Sequence, residues 1–363
     1  MPYINIKNNT FYYDKLPEQE IGKLNNYDYS TLIFCKKWLT GSNFFNLNTS
    51  GSTGRPKKIN LKRVQLSNSA KLTIEFLRLN SSDHFLICLN TQMVAGMMML
   101  VRAMKAKAAA TIVSPQSNPF ETLKQNTTCN FTALVPLQLE AILSSKEEKD
   151  RVILNKMKAV LIGGGPLHKD LQKQIETLVC PVYHTYGMTE TVSHIALKKL
   201  NGKNKSNYYQ TLPGIEIKTN KNDCLMIKAA VTEDQWLTTN DRVSIERQHS
   251  FKWLGRIDFV INSGGIKVQA EALEEKISMI FKEIGVLNRF FITGLPDKIL
   301  GEMVCLVIES KVMDNETIEK LKIKLKATVQ KYEIPRKFFF VENFTITNSG
   351  KINRPAVIKT LLG

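Results

Sequence analysis

No two cysteines in this sequence are spaced as CxxC, and Cys35, Cys88, Cys129, Cys180, Cys224 and Cys305 stand singly in mostly apolar surroundings. That pattern excludes a disulfide framework and a zinc-ribbon site, and the six read as reduced core residues. Long hydrophobic runs are missing too. The nearest candidate, Met93 to Met104, is interrupted by Arg102 and falls short of the ~20 apolar residues that a membrane span needs. The N-terminal stretch has neither the apolar core of a secretory signal nor the arginine-rich pattern of a transit peptide, so the cytoplasm is the expected compartment. Acidic residues are scarce, 33 against 50 basic ones, for a formal net charge of +17. A nucleic-acid surface would gather that charge into a patch interleaved with aromatics, whereas the lysines here are spread along the chain. The expectation is a basic solvated surface that favours anionic small molecules, with no nucleic-acid partner.

What is present fits two domains: 363 residues, 43% of them hydrophobic and 23% charged. Short apolar runs at 84–90, 109–115, 131–136, 158–165 and 181–187 read as buried strands. Helical patterns at 62–79, 94–106, 119–127, 137–148 and 167–178 alternate with them. Such alternation predicts a largely parallel sheet covered on both faces, with ligands bound where the strands end. After Tyr208 the texture changes to short strands with polar turns, a twisted antiparallel or mixed β unit. From about Asp258 a helix (270–283), strands (287–293, 302–309), a helix (315–331) and a strand (337–341) form a compact α+β unit, followed by a short terminal helix. No internal repeat or low-complexity linker interrupts the chain.

The stretch "TSGSTGRPK", Thr49 to Lys57, has the chemistry of a phosphate cradle. Gly51 and Gly54 permit tight turns with exposed N–H groups, Thr49, Ser50, Ser52 and Thr53 add hydroxyls, and Lys57 adds a cation. It is not a Walker A loop, because Pro56 stands where that motif needs its second glycine.

The order of its residues resembles the phosphate loop of the adenylate-forming superfamily of acyl-CoA synthetases, peptide-synthetase adenylation domains and luciferases. Five further motifs follow in order. "GGGPL", with Gly163, Gly164 and Gly165, resembles that superfamily's adenine-binding turn. In "YGMTET" the resemblance implies Tyr186 and Gly187 at the adenine, Thr189 at the α-phosphate and Glu190 as magnesium ligand. "LTTNDR" resembles the motif whose aspartate grips the ribose, hence Asp241, with Asn240 in place of the usual glycine. "GRIDFVINSGGIKVQAEALE" implies Arg256 on the ribose, Asp258 as a hinge, and Gly264, Gly265 and Lys267 near the thiol step. "NSGKINR" resembles the terminal motif and implies Lys351 as the catalytic lysine.

The resemblance implies an α/β protein with a large N-terminal domain of layered α/β sheets plus a β subdomain, residues 1–257. A small mobile α+β lid, residues 258–363, carries the lysine. It implies ATP, Mg2+ and coenzyme A, and a reaction that activates a carboxylic acid as acyl-AMP before transfer to a thiol. A negatively charged transition state at phosphorus calls for a metal, a cation and aligned donors, which Glu190, Lys351 and the 49–57 loop provide. Only 48 residues precede the loop, so a form shortened at the N-terminus is expected.

"TALVPLQLEAIL" (132–143), and Arg102 six residues after Gly96, resemble o-succinylbenzoate–CoA ligases of menaquinone synthesis. Arg102 on a substrate-lining helix would pair with the second carboxylate of an aromatic dicarboxylic acid; the alternative is an arginine snorkelling to solvent. Gln92 and Met93 stand where relatives carry an aromatic–histidine pair at the acyl pocket. A standalone enzyme loading a carrier protein, another aryl or acyl ligase, and an inactive nucleotide-binding relative are the alternatives. A homodimer is compatible with the sequence.

Overall fold

The computed structural model describes residues 1–7, 9–19, 21, 24–48, 58–124, 127–347 and 352–362. The first half contains β1 (Tyr3–Ile6), β2 (Asn9–Tyr12), α1 (Asn26–Leu39), β3 (Phe44–Asn48), β4 (Lys58–Lys62), α2 (Arg63–Leu77), β5 (His84–Ile87), α3 (Val94–Ala106) and β6 (Ala109–Ile112). It continues with β7 (Phe131–Leu134), α4 (Pro136–Ser144), α5 (Glu148–Asn155), β8 (Ala159–Ile162), α6 (Lys169–Glu176) and β9 (Val182–Gly187). Next come β10 (His194–Lys199), β11 (Tyr209–Thr211), β12 (Glu216–Thr219), β13 (Cys224–Lys228), β14 (Leu237–Arg247) and β15 (Ser250–Arg256). The remainder is β16 (Val260–Ser263), β17 (Ile266–Gln269), α7 (Ala270–Glu283), β18 (Phe290–Asp297), β19 (Gly301–Glu309), α8 (Asn315–Thr328), β20 (Lys337–Val341) and α9 (Arg354–Leu362).

Strands β1, β6, β5, β7, β8 and β9 pair in parallel, as the alternating pattern requires. Residue alternation shows that both faces are covered. Phe85 and Ile87 of β5 belong to one apolar cluster and Leu86 to another, and in β8 Ala159 and Leu161 separate in the same way from Val160 and Ile162. Strands this apolar on both sides are what a buried parallel sheet demands.

The β unit after Tyr208 is not separate from this sheet. Strand β10, absent from the sequence reading, runs back antiparallel to β9, and β11 joins β10 to β15 through Tyr209 opposite Phe251. The result is one sheet of thirteen strands in the order β12-β13-β14-β15-β11-β10-β9-β8-β7-β5-β6-β1-β2. Continuity removes two exposed edges that separate sheets would present.

Two expected helices differ. Residues 119–124 form turns, not the start of a helix over 119–127. The buried Asn118 accepts from Phe120 N at 3.0 Å and donates to Asp150 at 2.7 Å, so a side chain takes up local polar groups that a helix would use. The pattern at 137–148 splits into α4 and α5, because Ser145 leaves helical geometry (ψ 139°) and its hydroxyl accepts from Glu147 N.

The second sheet has the order β17-β16-β19-β18 with β20 alongside β19. Strands β19 and β20 run parallel. Its core, including Leu273, Ile277, Leu306 and Leu321, is distinct from the two clusters of the large sheet. Ile257–Phe259 form a short helical turn between the two sheets. All six cysteines are free and buried, and burial pushes the thiols of Cys88, Cys129 and Cys180 up to about 12. Among the described residues no helix is long and apolar enough to cross a membrane.

Candidate active site

The carboxyl ends of β8 and β9 lie side by side, and the glycine turn and tyrosine singled out in the sequence sit there. Gly163 N donates to Leu134 O, which seats the Gly163–Gly165 turn over the end of β7. His184, on β9, reaches that turn: its Nε2 is 3.1 Å from Gly165 O, and its Nδ1 is 2.7 Å from the Tyr209 hydroxyl. A carbonyl only accepts, so Nε2 carries a proton, and in the neutral ring Nδ1 accepts from Tyr209. Burial, helped by the charge of Lys198, pushes the imidazole pKa down to about 4. Tyr186, Tyr209 and Phe251 pack together beside it, with ring centroids 5.1 to 5.7 Å apart.

His184 gives the protein a testable acid sensitivity. An unfolded imidazole takes its proton near 6.5 and the folded one only near 4, so the unfolded state binds more protons between those values. Stability is therefore expected to fall as pH drops through that window. Thermal midpoints from neutral pH to about 4 should show the decline, and His184→Gln should flatten part of it.

Asp241 is the polar centre of the site. It is 8% exposed and lies within β14, so it is not a turn residue. One carboxylate oxygen accepts from Tyr186 Oη at 2.8 Å and the other from Trp253 Nε1 at 3.1 Å. A carboxylate offers about four acceptor positions, so room remains for two further donors such as vicinal hydroxyls. Burial, then the neighbouring Asp241 charge, raises the Tyr186 phenol above its usual range. Arg256 stands opposite Asp241 in the β14–β15 register and donates to Asp258 at 2.5 Å. Asn240, the departure from the glycine usual in that motif, also donates to Asp258, at 3.1 and 3.2 Å.

Sequence reasoning missed the clamp beneath Arg256. Glu271 Oε2 accepts from Arg256 N at 2.7 Å, and Gln269 Nε2 donates to Arg256 O at 3.0 Å and to Glu271 at 2.9 Å. Gly255, at φ +122°, makes this approach possible, since a Cβ there would stand 2.4 Å from both side chains. Arg354, three residues after Lys351, stacks 4.5 Å from the Phe259 ring and pairs with Glu274 at 2.9 Å. Both ends of the short turn at Asp258 are thus held by side chains of the second sheet and its helices.

The loop from β9 to β10 contains Thr189 and Glu190. Thr191, completely buried, ties it: its hydroxyl accepts from Met188 N at 3.0 Å and lies 2.8 Å from Ser193 O. Val192 is forced to φ +66°, a costly conformation for a β-branched residue, two residues after Glu190. Gly187 permits the closure, because a Cβ would meet Ser193 O at 2.2 Å. Glu190 is exposed and, among the described residues, unpaired. Among them there is no cluster of three or more metal-ligating side chains. A lone free carboxylate still suits magnesium, which keeps several waters and takes its other ligands from phosphates.

Arg102 does not snorkel. It is 2% exposed on α3, donates from Nε to Thr73 at 3.1 Å and from Nη2 to Ser193 at 2.8 Å, and otherwise meets Met99 sulfur at 4.0 Å. None of these partners is an anion, and burial pushes the guanidinium down to about 9. Met97, Met98 and Met99 are core residues. Gln92 is exposed and donates to Ser30 on α1 at 3.1 Å, and Met93 is half-buried at the start of α3. Gly264 and Gly265 form the β16–β17 turn, with Lys267 exposed beside it, and Gly264 N donates to Leu300 O within the second unit. The phosphate-loop candidates Thr49, Ser50, Gly51, Ser52, Thr53, Gly54 and Lys57, and the candidate Lys351, lie outside the described residues. The β3–β4 hairpin, pairing Asn48 with Lys58, brings the two ends of that loop together.

Comparison with known proteins shows the family of the chain. The sequence signature of the AMP-binding enzymes matches residues 42–223. The crystal structure of an acyl-CoA synthetase (AMP-forming)/AMP-acid ligase II-like protein from Dyadobacter fermentans is 39% identical, covers 95% of this chain and 97% of its own, and superposes with a TM-score of 0.64. A 2-succinylbenzoate–CoA ligase from Lactococcus lactis is 26% identical over 85% of this chain and 69% of its own length. The o-succinylbenzoate coenzyme A synthetase of Bacillus subtilis, solved with ATP and magnesium, shares the fold, with a TM-score of 0.68 at 22% identity over 85% of this chain and 68% of its own. The chain thus spans about two thirds of the length of those two ligases.

Proposed function

Since the chain belongs to the AMP-binding enzyme family, we propose that it is an AMP-forming acid–CoA ligase whose acid is an aromatic dicarboxylate such as 2-succinylbenzoate. The observation that carries this reading is the convergence of Tyr186, Asp241, Trp253 and Arg256 with the Gly163–Gly165 turn at the strand ends. Those groups provide an apolar ring, a buried carboxylate with spare acceptor capacity and a cation, which are what an adenosine phosphate needs.

In the proposed reaction a carboxylate oxygen attacks the α-phosphorus of ATP, and the bond to pyrophosphate breaks. The thiol of CoA then attacks the acyl carbon, AMP departs with the carboxylate oxygen, and the thiol proton passes to solvent. Tyr186 and the glycine turn take the adenine, Asp241 and Arg256 the ribose, and Thr189 the α-phosphate. The 49–57 loop takes the departing phosphates, and Lys351 bridges carboxylate and phosphate. Held by Glu190, magnesium would neutralise phosphate charge. Asp258 serves as the hinge for residues 258–363, and Gly264, Gly265 and Lys267 serve the thiol step after it turns. The uncountered charge of Arg102 selects the second carboxylate.

Purified protein with ATP, Mg2+ and CoA should form AMP, pyrophosphate and a thioester with 2-succinylbenzoate, and turn over benzoate and medium-chain acids far more slowly. Preference for a monocarboxylic acid would contradict the role of Arg102. AMP formation without CoA consumption would redirect the thiol step to a carrier protein.

Within this site, Tyr186→Phe keeps the ring but removes a hydrogen bond to a carboxylate, worth ~1.5–3 kcal/mol. The KM for ATP should rise by roughly tenfold or more with kcat little altered, as read from initial rates of pyrophosphate release. An unchanged KM would remove Asp241 and its tyrosine from nucleotide binding.

A further inference from the structure

Arg102 is set in place by a hydrogen-bonded chain that runs through Thr73 to His194. Its Nε can only donate, so the Thr73 hydroxyl on α2 accepts that bond at 3.1 Å. The same hydroxyl lies 2.9 Å from His194 Nε2 and 3.3 Å from Ser69 O, one turn back on α2. Thr73, His194 and Arg102 are 0%, 7% and 2% exposed, so the chain is shielded from bulk solvent. Burial, then the charge of Arg102, pushes the His194 imidazole well below its usual range, so the ring is neutral.

The chain leaves a net positive charge enclosed by neutral groups, with donors of the guanidinium still unspent. One helical turn before Thr73, Ser69 Oγ is buried and has no partner among the described residues. Ser193, which takes Arg102 Nη2, follows the Glu190 loop, and its backbone packs against Gly187. The enclosed cation and the unpartnered hydroxyl therefore adjoin the segment that binds nucleotide in the proposed reading.

We propose that Thr73 is a positioning residue for substrate specificity: by accepting from Arg102 Nε while hydrogen-bonded to His194, it holds the guanidinium fork turned toward the non-reacting carboxylate of a dicarboxylic acid. This rests on the ligase reading above and adds to it a residue that never touches the substrate. Arginine's planar fork recognises a carboxylate through two parallel N–H bonds, so a rotation of the plane costs more than a shift of a point charge would.

The test compares Thr73→Val, Thr73→Ser and Arg102→Met with three acids: 2-succinylbenzoate, and benzoate and 4-oxo-4-phenylbutanoate, which each carry one of its two carboxylates. Valine keeps the shape of threonine and removes the hydroxyl. The ratio of kcat/KM for the dicarboxylate to that for the better monocarboxylate should fall roughly tenfold in Thr73→Val, through KM and not kcat. Thr73→Ser should restore it to within about threefold, because the hydroxyl is retained. An unchanged ratio in Thr73→Val, or no recovery in Thr73→Ser, overturns the positioning role. An unchanged ratio in Arg102→Met overturns the reading of Arg102 as well; a fall there with none in Thr73→Val removes Thr73 alone.

Discussion

Replacing Arg102 by methionine is expected to make the protein more stable and a poorer enzyme at once. The guanidinium is 2% exposed and its partners are two hydroxyls and a thioether, so its desolvation is uncompensated in the free protein. Substituting buried charges by apolar groups of similar volume is neutral or stabilising by about 1–4 kcal/mol in known cases. Methionine would join Met97, Met98 and Met99 in the same core. The thermal midpoint should rise by a few degrees, at roughly 2–4 °C per kcal/mol. The lost pairing with a buried carboxylate should cost on the order of a hundredfold in kcat/KM for 2-succinylbenzoate. Differential scanning calorimetry and steady-state rates on the same preparation check both signs. A destabilised variant with undiminished activity would make Arg102 a structural residue only.

The second large effect concerns the half-reactions. Lys351→Ala should lower acid-dependent pyrophosphate release by roughly 10²–10³-fold, the size of losing one preorganised charge partner in a transition state. Thioester formation from preformed acyl-adenylate and CoA should be far less affected, because no phosphorus–oxygen bond is broken in that step. Single-turnover assays with synthetic acyl-adenylate separate the two. Equal loss in both would show that Lys351 acts on the fold or on the common nucleotide pocket.

The residues proposed to bind nucleotide were readable in the sequence because each lies in a short motif whose neighbours are local. Tyr186 and Gly187 end a strand, and Asp241 and Arg256 face each other across one hairpin. The groups that support them were not readable, since their partners are remote along the chain. His184 works through Gly165 and Tyr209, and Arg256 is clamped by Gln269 and Glu271 from beyond the turn at Asp258. Thr73 looked like any helix-interior threonine until the fold set it between Arg102 and His194. Periodicity located most elements, but it failed at 119–124 because the side chain of Asn118 competes for backbone groups, and it missed β10, which completes the join between the parallel and antiparallel strands. The substitution of Asn240 for glycine, a departure in the motif, acquires a function only in three dimensions, as a donor to Asp258.

The central claim is that an acyl-adenylate forms at this site. An acid labelled with ¹⁸O in its reacting carboxylate, incubated with ATP, Mg2+, CoA and the protein, tests it by mass spectrometry of the nucleotide product. Attack of the carboxylate on the α-phosphorus predicts one ¹⁸O in the phosphate of AMP for each thioester formed. Unlabelled AMP, or ADP and phosphate as products, would contradict it.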